Sequence, residues 1–443
     1  MATSDKSKPA DTVPADILPI IRNSGALSEK QFLEVRTKVH SGELPAESKA
    51  LARRLVQDGI LTEYQSKRFL IGKSHGLLVG KYVILDRLGS GAMGRVYRAH
   101  HQLMGRVVAL KIIAPEIAAS EKVIARFQRE MRLVGRLDHP NVVRAFDADK
   151  ANGLLYIVME YVNGQSLGQR LKQGPLPAVE AVTYAAQAAL GLAHAHDQGI
   201  VHRDVKPSNL LIAENKQVKV LDLGLGVLME IDHEATFETA DGVAVGTVDY
   251  MSPEQACGRG VDGRSDLFGL GCTLYHLITG KQAYQGASPI ERLGVRIANR
   301  PTPITDYRPD LPASLVAVID KLLANRPQDR YQTAVEAAEA LQALVRPRKA
   351  AVPAPRPAPA PAPAPADPVH PPAPAPAPAQ QSAPEPAPPP PPVVVTVRPT
   401  YPAWFRPLAS LAERNPRRAL AAVIVGGTMT FVVGVAIGWL LGG

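Results

Sequence analysis

The chain has few of the residues that hold small secreted or metal-dependent domains together. Its 443 residues include only 2 cysteines, Cys257 and Cys272, and these two do not show the paired spacing of a zinc site. Disulfide scaffolds and zinc fingers are therefore excluded, and a reducing compartment is expected. The first residues also contain no hydrophobic run of the kind that serves as a secretory signal. The length allows two or three domains rather than one.

Positive charge is present, but it lies in the wrong places for a nucleic-acid-binding domain. The formal net charge is +9, yet residues 81–345 carry equal numbers of basic and acidic residues. The excess lies in residues 1–80 and 346–443. A domain that binds DNA or RNA concentrates basic residues on a folded surface, where they neutralise phosphates. We therefore expect no nucleic-acid partner.

Residues 346–402 are dominated by Ala-Pro repeats, and 21 of the 41 prolines lie between Pro353 and Pro399. Proline removes backbone donors and fixes φ, so this composition predicts an extended polyproline II spacer and not a core. The alternative is a docking ligand for an SH3-like groove. It stays open because PxxP spacings occur, although such repeats produce them by chance.

Residues 419–441 form an uncharged apolar run that is long enough to span a bilayer, which takes roughly 20 apolar residues. Arg414, Arg417 and Arg418 end a basic juxtamembrane segment, residues 403–418. The positive-inside tendency then places everything before the span in the cytoplasm. A buried globular helix is the alternative, but it would normally show a polar stripe. We expect a single-pass, tail-anchored membrane protein.

Small residues recur every four positions at the end of this apolar run and just after it, at Gly434, Gly438 and Gly442. They share one face of a helix, so two backbones could approach closely and form a homodimer. The alternative is that glycine is simply common in membrane helices.

Before the central segment, residues 1–25 are expected to be disordered and residues 26–75 to form a small helical domain. Two capping-box patterns and a terminating glycine support the helices: Ser28 with Gln31, Thr62 with Gln65, and Gly59. The pattern predicts two or three short helices. Nothing in them indicates chemistry, so a partner-binding or regulatory role is the expectation.

A β-like run at residues 82–85 precedes the glycine-rich sequence LGSGAMGRV at residues 88–96. Glycines let backbone N–H groups approach phosphate oxygens without a Cβ in the way. The GxGxxG spacing alone is weak, because dinucleotide-binding folds share it. A helix should follow a dinucleotide fingerprint at once, but residues 95–99 continue as a strand. This favours a hairpin that covers a nucleotide.

Further along the chain, Lys111 ends an apolar strand, and the loop VHRDVKPSN at residues 201–209 precedes Asp222-Leu223-Gly224. Phosphoryl transfer needs a carboxylate that orients the attacking hydroxyl, oxygen ligands for Mg²⁺ and positive charge near the phosphate. In this order, the motifs resemble the bacterial eukaryotic-like (Hanks-type) transmembrane serine/threonine protein kinases. The resemblance covers residues 82–345. It implies an α+β bilobal fold, with a β-rich N-lobe and an α-helical C-lobe.

The resemblance also implies residue roles. The catalytic residues are Asp204 as base, Lys206 near the transferred phosphate, and Lys111 paired with Glu130 of a helix. ATP contacts are expected from Leu88, Gly89, Ser90, Gly91, Ala92, Met93, Gly94, Arg95, Val96, Ala109, Lys111, Glu160 and Val162, with Met159 as gatekeeper. Asn209 and Asp222 would hold Mg²⁺, with Mn²⁺ as an alternative. The activation segment would include Thr236, Thr239, Thr247 and Glu254, with Arg330 pairing Glu254 and Asp266 as the aspartate of a central helix.

Two positions depart from the family pattern: Leu223 stands where many kinases have Phe, and Ser252 where most have Ala. Neither is a ligand, so activity is expected to survive. The Asp-x-Lys-Pro-x-Asn form of the loop, with Thr247, resembles the serine/threonine class, so protein substrates with Ser or Thr are expected. The alternative is a pseudokinase-like nucleotide-binding scaffold. The presence of Lys111 and Asp204 argues against it.

Control is expected to involve Arg203, which adjoins the base. An arginine in an apolar neighbourhood needs an anion, and phosphorylation of the activation segment supplies one. We hypothesise autophosphorylation at Thr236 or Thr239; the alternative is that both are ordinary loop threonines.

Overall fold

The computed structural model describes residues 13–91, 93–115, 121–223, 248–298 and 300–346. No helix among these residues is long and apolar enough to cross a membrane. Several predictions lie outside the described residues and stay predictions. They concern Ala92, Gly224, Thr236, Thr239, Thr247, most of the Pro/Ala segment, the basic segment 403–418 and the apolar run 419–441.

Four helices precede the first sheet: α1 (Leu18–Ser24), α2 (Glu29–His40), α3 (Ser48–Gln57) and α4 (Glu63–Leu70). Both predicted capping boxes are confirmed, at the starts of α2 and α4. Gly59 follows α3 with a φ of 70°, which suits a glycine after a helix end.

The prediction that residues 1–25 are disordered is wrong for the described part of that range. Residues 18–24 form α1, and Gly25 ends it in the left-handed region with a φ of 65°. Ile17 and Ile21, one helical turn apart, are both fully buried. Burial of these two side chains offsets the conformational entropy lost in ordering the segment.

The first sheet has six antiparallel strands in the order β1-β2-β3-β4-β6-β5. Its strands are β1 (Leu78–Val79), β2 (Tyr82–Gly91), β3 (Gly94–His101), β4 (Val107–Ile113), β5 (Ala145–Ala151) and β6 (Leu154–Glu160). β2 and β3 form the predicted glycine-rich hairpin, with Gly91 paired to Gly94. Helix α5 (Glu121–Val134) packs under this sheet.

The middle of this sheet, at β4, is covered on both faces. On one face Val108 and Leu110 of β4 join a core that contains Phe69 of α4. On the other face Ile113 packs with Phe127 of α5. Alternate residues of one strand point to opposite faces, so the apolar run of β4 reads as a strand that is covered from both sides.

The predicted helices of residues 26–75 pack directly on the sheet that lies in the segment from residue 82. Helices α1–α4 share one hydrophobic core with strands β1–β4 and β6. Residues on both sides of the predicted boundary, including Leu77 and Ile84, are fully buried in that core. Continuous apolar packing thus joins the helices to the sheet of the N-lobe.

The second lobe is helical around a small sheet of order β7-β8-β9. The strands are β7 (Gly164–Ser166), β8 (Leu210–Ala213) and β9 (Val218–Val220). The helices are α6 (Leu167–Leu171), α7 (Ala178–Asp197), α8 (Pro253–Ala256), α9 (Gly263–Thr279), α10 (Pro289–Ala298), α11 (Ala313–Leu322) and α12 (Ala334–Val345). Leu192 of α7, Leu270 of α9 and Ile319 of α11 are fully buried in its core. The expected bilobal α+β fold is confirmed.

Candidate active site

A cleft of about 430 Å³ lies between the glycine-rich hairpin and the loop that carries Asp204. Predicted ATP contacts that line it are Leu88, Gly89, Ser90, Gly91, Met93, Gly94, Val96, Ala109, Lys111, Glu160 and Val162, together with Met159. Arg95 is an exception, because its side chain is exposed and does not line the cleft. Most of the predicted nucleotide contacts are thus brought together.

Gly94 is the glycine of the hairpin that the local geometry requires. Its φ is 136°, and a Cβ at this position would lie 2.0 Å from the carbonyl oxygen of Ile112 on the neighbouring strand. In contrast, a Cβ at Gly89 or Gly91 would meet nothing within 4 Å. Gly94 therefore allows β3 and β4 to pair closely, whereas Gly91 leaves open space at the cleft.

Lys111 is buried and bonds to Asp222, with 2.7 Å between Lys111 Nζ and Asp222 Oδ1. The predicted ion pair between Lys111 and Glu130 is absent. Among the described residues, the Glu130 carboxylate forms no ion pair, and Lys111 bonds to Asp222 instead. Asp222 adopts a left-handed backbone, with a φ of 59°. The carboxylate that reaches Lys111 is thus supplied by the loop after β9 and not by α5.

The ionisation of Asp222 follows from these contacts. Burial by itself would raise the pKa of Asp222, but Lys111, His202 and Lys206 together outweigh it and hold that pKa below its ordinary value. The carboxylate therefore stays charged at neutral pH, as a metal ligand must.

The predicted base, Asp204, is held from two sides. Asn209 Nδ2 donates to Asp204 Oδ2 at 3.0 Å and to the Asp204 carbonyl at 2.9 Å. Lys206 Nζ lies 2.8 Å from Asp204 Oδ2. These contacts fix the carboxylate in the cleft and place a positive charge beside it. All three residues line the cleft.

The loop that carries Asp204 is anchored by Asp266 of α9, the aspartate that the resemblance placed on a central helix. Asp266 is 1% exposed and accepts the backbone N–H groups of His202 and Arg203 at 2.8 and 2.7 Å. His196 Nε2 lies 2.7 Å from the same carboxylate. Arg203 has a φ of 66°, so this loop is held in a conformation that non-glycine residues rarely adopt.

The predicted pair of Glu254 and Arg330 is present and buried. Arg330 donates to both carboxylate oxygens, at 2.7 and 2.9 Å, and Ser265 Oγ donates to one of them at 2.7 Å. Burial would raise the pKa of Glu254, but the hydrogen bonds from Arg330 and Ser265 keep it below its ordinary value. This bidentate pair ties α8 to the segment before α12.

Ser252, which departs from the family pattern, has a local function. It caps α8: its Oγ accepts the Gln255 N–H, and Gln255 Oε1 accepts the Ser252 N–H at 3.0 Å. Gln255 Nε2 in turn donates to the Arg203 carbonyl at 2.8 Å. The hydroxyl thus supports a connection between α8 and the loop that carries Asp204.

Several residues of the cleft were not predicted. They are Val143, Tyr161, Ser166, Gln169, Ser208, Leu211 and Leu221. Two of them had a usable signal, since Leu211 follows the metal-ligand candidate Asn209 by two positions and Leu221 precedes Asp222. Apolar residues beside the predicted metal ligands indicate an apolar surface against which the adenine ring of a nucleotide can pack.

Asn209 and Asp222 fit a Mg²⁺ site that is completed by phosphates. Asn209 gives its amide N–H to Asp204, which leaves its carbonyl oxygen as the ligand atom. Among the described residues there is no cluster of three His, Cys, Asp or Glu side chains that would hold a metal without a substrate. Mg²⁺ commonly binds through one or two carboxylates plus substrate phosphates, so this donor set is suitable.

Comparison with known proteins adds independent observations. A family model described as the protein kinase domain matches residues 82–343. A probable serine/threonine-protein kinase of Corynebacterium efficiens is 37% identical over 280 residues, which cover 60% of this chain and 42% of that protein. Serine/threonine-protein kinase PknB of Mycobacterium leprae is 37% identical over 264 residues, which cover 58% of this chain and 42% of that protein. The chain thus spans less than half the length of these curated relatives.

A solved structure is similar as well. A double mutant of the PknI kinase domain of Mycobacterium tuberculosis has 29% sequence identity and a TM-score of 0.50, over 61% of this chain and 98% of that one.

Proposed function

Since this chain belongs to the protein kinase domain family, we propose that it transfers the γ-phosphate of ATP to serine or threonine hydroxyls of proteins. The family model matches more than half of the chain. The observation that carries the proposal is the convergence of Lys111, Asp204, Lys206 and Asp222 in one cleft below the glycine-rich hairpin. These side chains supply the carboxylate, the metal ligand and the positive charges that phosphoryl transfer needs.

Each side chain has a role in this proposal. Asp204 orients the attacking hydroxyl and accepts its proton. Lys206, 2.8 Å from Asp204, stabilises the negative charge of the transferred phosphoryl group. Bound Mg²⁺ would neutralise charge on the phosphates, and Asn209 and Asp222 would hold it. The hairpin covers the phosphates and excludes water.

Lys111 has to change partner in this scheme. It bonds to Asp222, but a nucleotide would bring phosphate oxygens to Lys111 and a metal to Asp222. The N-lobe then offers Glu130 as the replacement carboxylate. We infer that the arrangement with Lys111 on Asp222 is a resting state.

Serine/threonine specificity rests on the loop sequence Asp204-Val205-Lys206-Pro207-Ser208-Asn209 and on the relatives' similarity. It is tested by incubating the full-length chain with labelled ATP, Mg²⁺ and a generic basic protein, followed by phosphoamino acid analysis. We expect label on serine or threonine. Label on tyrosine alone would contradict the proposed class.

Membrane attachment is a further part of the proposal. We propose that residues 419–441 span a membrane and that the basic segment 403–418 and the kinase domain lie on its cytoplasmic side. The helix face with Gly434, Gly438 and Gly442 would then support a homodimer. The support is composition: the run is uncharged and preceded by arginines. Fractionation of cells that express the full chain, beside a variant lacking residues 419–443, tests it. Equal recovery of both in the soluble fraction would contradict it.

We also propose that the kinase phosphorylates itself at Thr236 or Thr239. The support is Arg203, which lies next to Asp204 and can receive a phosphate. Peptide mapping of the active chain tests this, and active enzyme unmodified at both residues would contradict it.

A nucleotide-binding scaffold is the second candidate function. The observation that favours it is the absence of the expected Lys111–Glu130 pair from the described structure. Nucleotide binding without transfer by the native chain would favour the scaffold.

A further inference from the structure

The capping box of α4 is bonded to the strand that carries the glycine-rich hairpin. Gln65 Nε2 donates to the carbonyl of Ile84 at 2.8 Å, and Thr62 Oγ1 donates to the carbonyl of Leu85 at 2.5 Å. Ile84 and Leu85 belong to β2, and Leu88, three residues further on, lines the cleft. Two side chains of the N-terminal helices thus hold consecutive carbonyls of the nucleotide-covering strand.

These carbonyls lie at an irregularity of the strand. The pairing of β2 with β3 shifts between Ile84 and Asp86, so Leu85 has no partner in the ladder. A bulge leaves backbone groups without ladder partners and bends the strand. The side chains of α4 therefore supply hydrogen bonds at the point where β2 bends towards the cleft.

Helix α4 itself is held firmly. Gln65 is 3% exposed and Phe69 is fully buried against the sheet. The Tyr64 ring lies 6.4 Å from the ring of Tyr97 on β3. The helix is thus fixed to both strands of the hairpin by side chains that do not reach the cleft.

We propose that Thr62 and Gln65 are positioning residues for the nucleotide site, which hold the bulge of β2 and thereby set the height of the glycine-rich hairpin over the phosphates. The N-terminal helices are then a working part of the kinase lobe. The inference rests on the proposed function for the identity of the nucleotide, but its physical basis is the contact between α4 and β2.

The chain offers a matched control. Ser28 and Gln31 form the same type of capping box at the start of α2, but their bonds join only these two residues and both side chains are exposed. A substitution at Gln31 therefore removes the same local cap as one at Gln65 and leaves β2 untouched. The difference between the two variants isolates the contact with the strand.

The experiment compares Gln65→Met and Gln31→Met in the full-length chain by titration with Mg·ADP and by hydrogen exchange of β2. We expect Gln65→Met to weaken Mg·ADP binding by about threefold to tenfold, the range for one lost hydrogen bond. Exchange across Tyr82–Gly91 should become faster in this variant, and Gln31→Met should change neither quantity. Equal affinities in both variants, with unchanged exchange in β2, would overturn the proposal.

If Gln65→Met does not fold, Mg·ADP binding by Thr62→Val and Thr62→Ser tests the same proposal. Serine keeps the hydroxyl that bonds to Leu85, so Thr62→Ser should bind Mg·ADP like the native chain and Thr62→Val should bind it more weakly. Equal binding by these two variants would overturn the proposal. A native chain that bound no nucleotide would refute the proposed function. Hydrogen exchange is measured without nucleotide, so exchange in β2 would still test the role of α4 in that case.

Discussion

Lys111 and Asp222 form the central ion pair of the cleft, with 2.7 Å between Nζ and Oδ1 and the lysine side chain only 5% exposed. Removing one partner of a buried pair leaves an uncompensated charge, which destabilises a protein strongly. This pair, which replaces the predicted one with Glu130, therefore has a measurable consequence in the absence of nucleotide.

We expect Asp222→Asn to lower the free energy of unfolding by about 3 kcal/mol, because it leaves the Lys111 ammonium buried without its carboxylate. Glu130→Gln should change this free energy by less than about 0.5 kcal/mol, since Glu130 forms no ion pair in the described structure. Urea unfolding of the nucleotide-free chain measures both. A larger loss from Glu130→Gln than from Asp222→Asn would contradict the observed pairing.

The glycines of the hairpin should differ in their tolerance of a side chain. Gly94→Ala places a Cβ against the Ile112 carbonyl at a φ of 136° and should lower the free energy of unfolding by about 2 kcal/mol or more. Gly91→Ala meets nothing within 4 Å, so its stability should stay within about 0.5 kcal/mol of the native chain. Thermal unfolding distinguishes them. Equal losses would show that the geometry of Gly94 is not limiting.

The pair of Glu254 and Arg330 should make stability depend on pH in the acid range. The folded pKa of Glu254 lies below its ordinary value of 4.5, so the stabilisation is present above that value and is lost as pH falls through the folded pKa. Glu254→Gln removes the titrating group. We expect the native chain to lose more stability than Glu254→Gln as the pH falls from about 6 to below 4.5. Parallel pH profiles of the two proteins would contradict this.

Residues 248–251, in the described part of the predicted activation segment, are held by a buried arginine of α10. Arg296 is 1% exposed and donates to the carbonyls of Asp249 at 2.7 Å, of Met251 at 3.0 Å, and of Val248. Arg292 of the same helix bonds to the Asp249 carboxylate at 2.6 Å. This helix therefore fixes residues 248–251 just before the α8 cap at Ser252.

Arg296→Met should leave these carbonyls without donors and lower the free energy of unfolding by about 3 kcal/mol. Phosphorylation of a protein substrate should fall further than binding of Mg·ADP, because residues 248–251 lie outside the nucleotide cleft. Arg300→Met is the control, since Arg300 is exposed. The comparison uses urea unfolding with transfer assays, and a loss of nucleotide affinity equal to the loss of transfer would contradict the assignment.

The motifs, through the family that they resemble, were sufficient to predict the catalytic and metal-ligand candidates of the cleft. Lys111 lies far from the other three residues in the sequence, yet all four converge on the cleft. Lys111 lies on β4, Asp204 and Asn209 precede β8, and Asp222 follows β9. The buried partners Glu254 and Arg330 were predicted in the same way. These positions depend on local chemistry and on an order of elements that the motifs specify.

The partner of Lys111 could not be predicted from spacing. The choice of partner depends on the left-handed backbone of Asp222 and on the position of α5 relative to β4. Local sequence patterns predict neither feature. Ion pairs between distant elements are settled by tertiary packing.

The sequence carries a signal for the packing of the N-terminal helices on the N-lobe. The run VVALKII of β4 is apolar at almost every position, which is typical of a strand covered on both faces. Since α5 covers one face of β4, another element has to cover the opposite face, and helices α1–α4 do so. Ile17 and Ile21, one turn apart, likewise marked the additional helix α1.

The most direct test of the central claim is single-turnover transfer from labelled ATP·Mg²⁺ by the full-length chain beside Asp204→Asn, with Mg·ADP affinity measured on both. We expect the native chain to transfer label to serine or threonine. Asp204→Asn should bind Mg·ADP within about twofold of the native chain but transfer at least about 100-fold more slowly, because it removes the base and not the nucleotide contacts. Equal transfer by both proteins, or tight binding without any transfer by the native chain, would contradict the assignment of this cleft as a kinase active site.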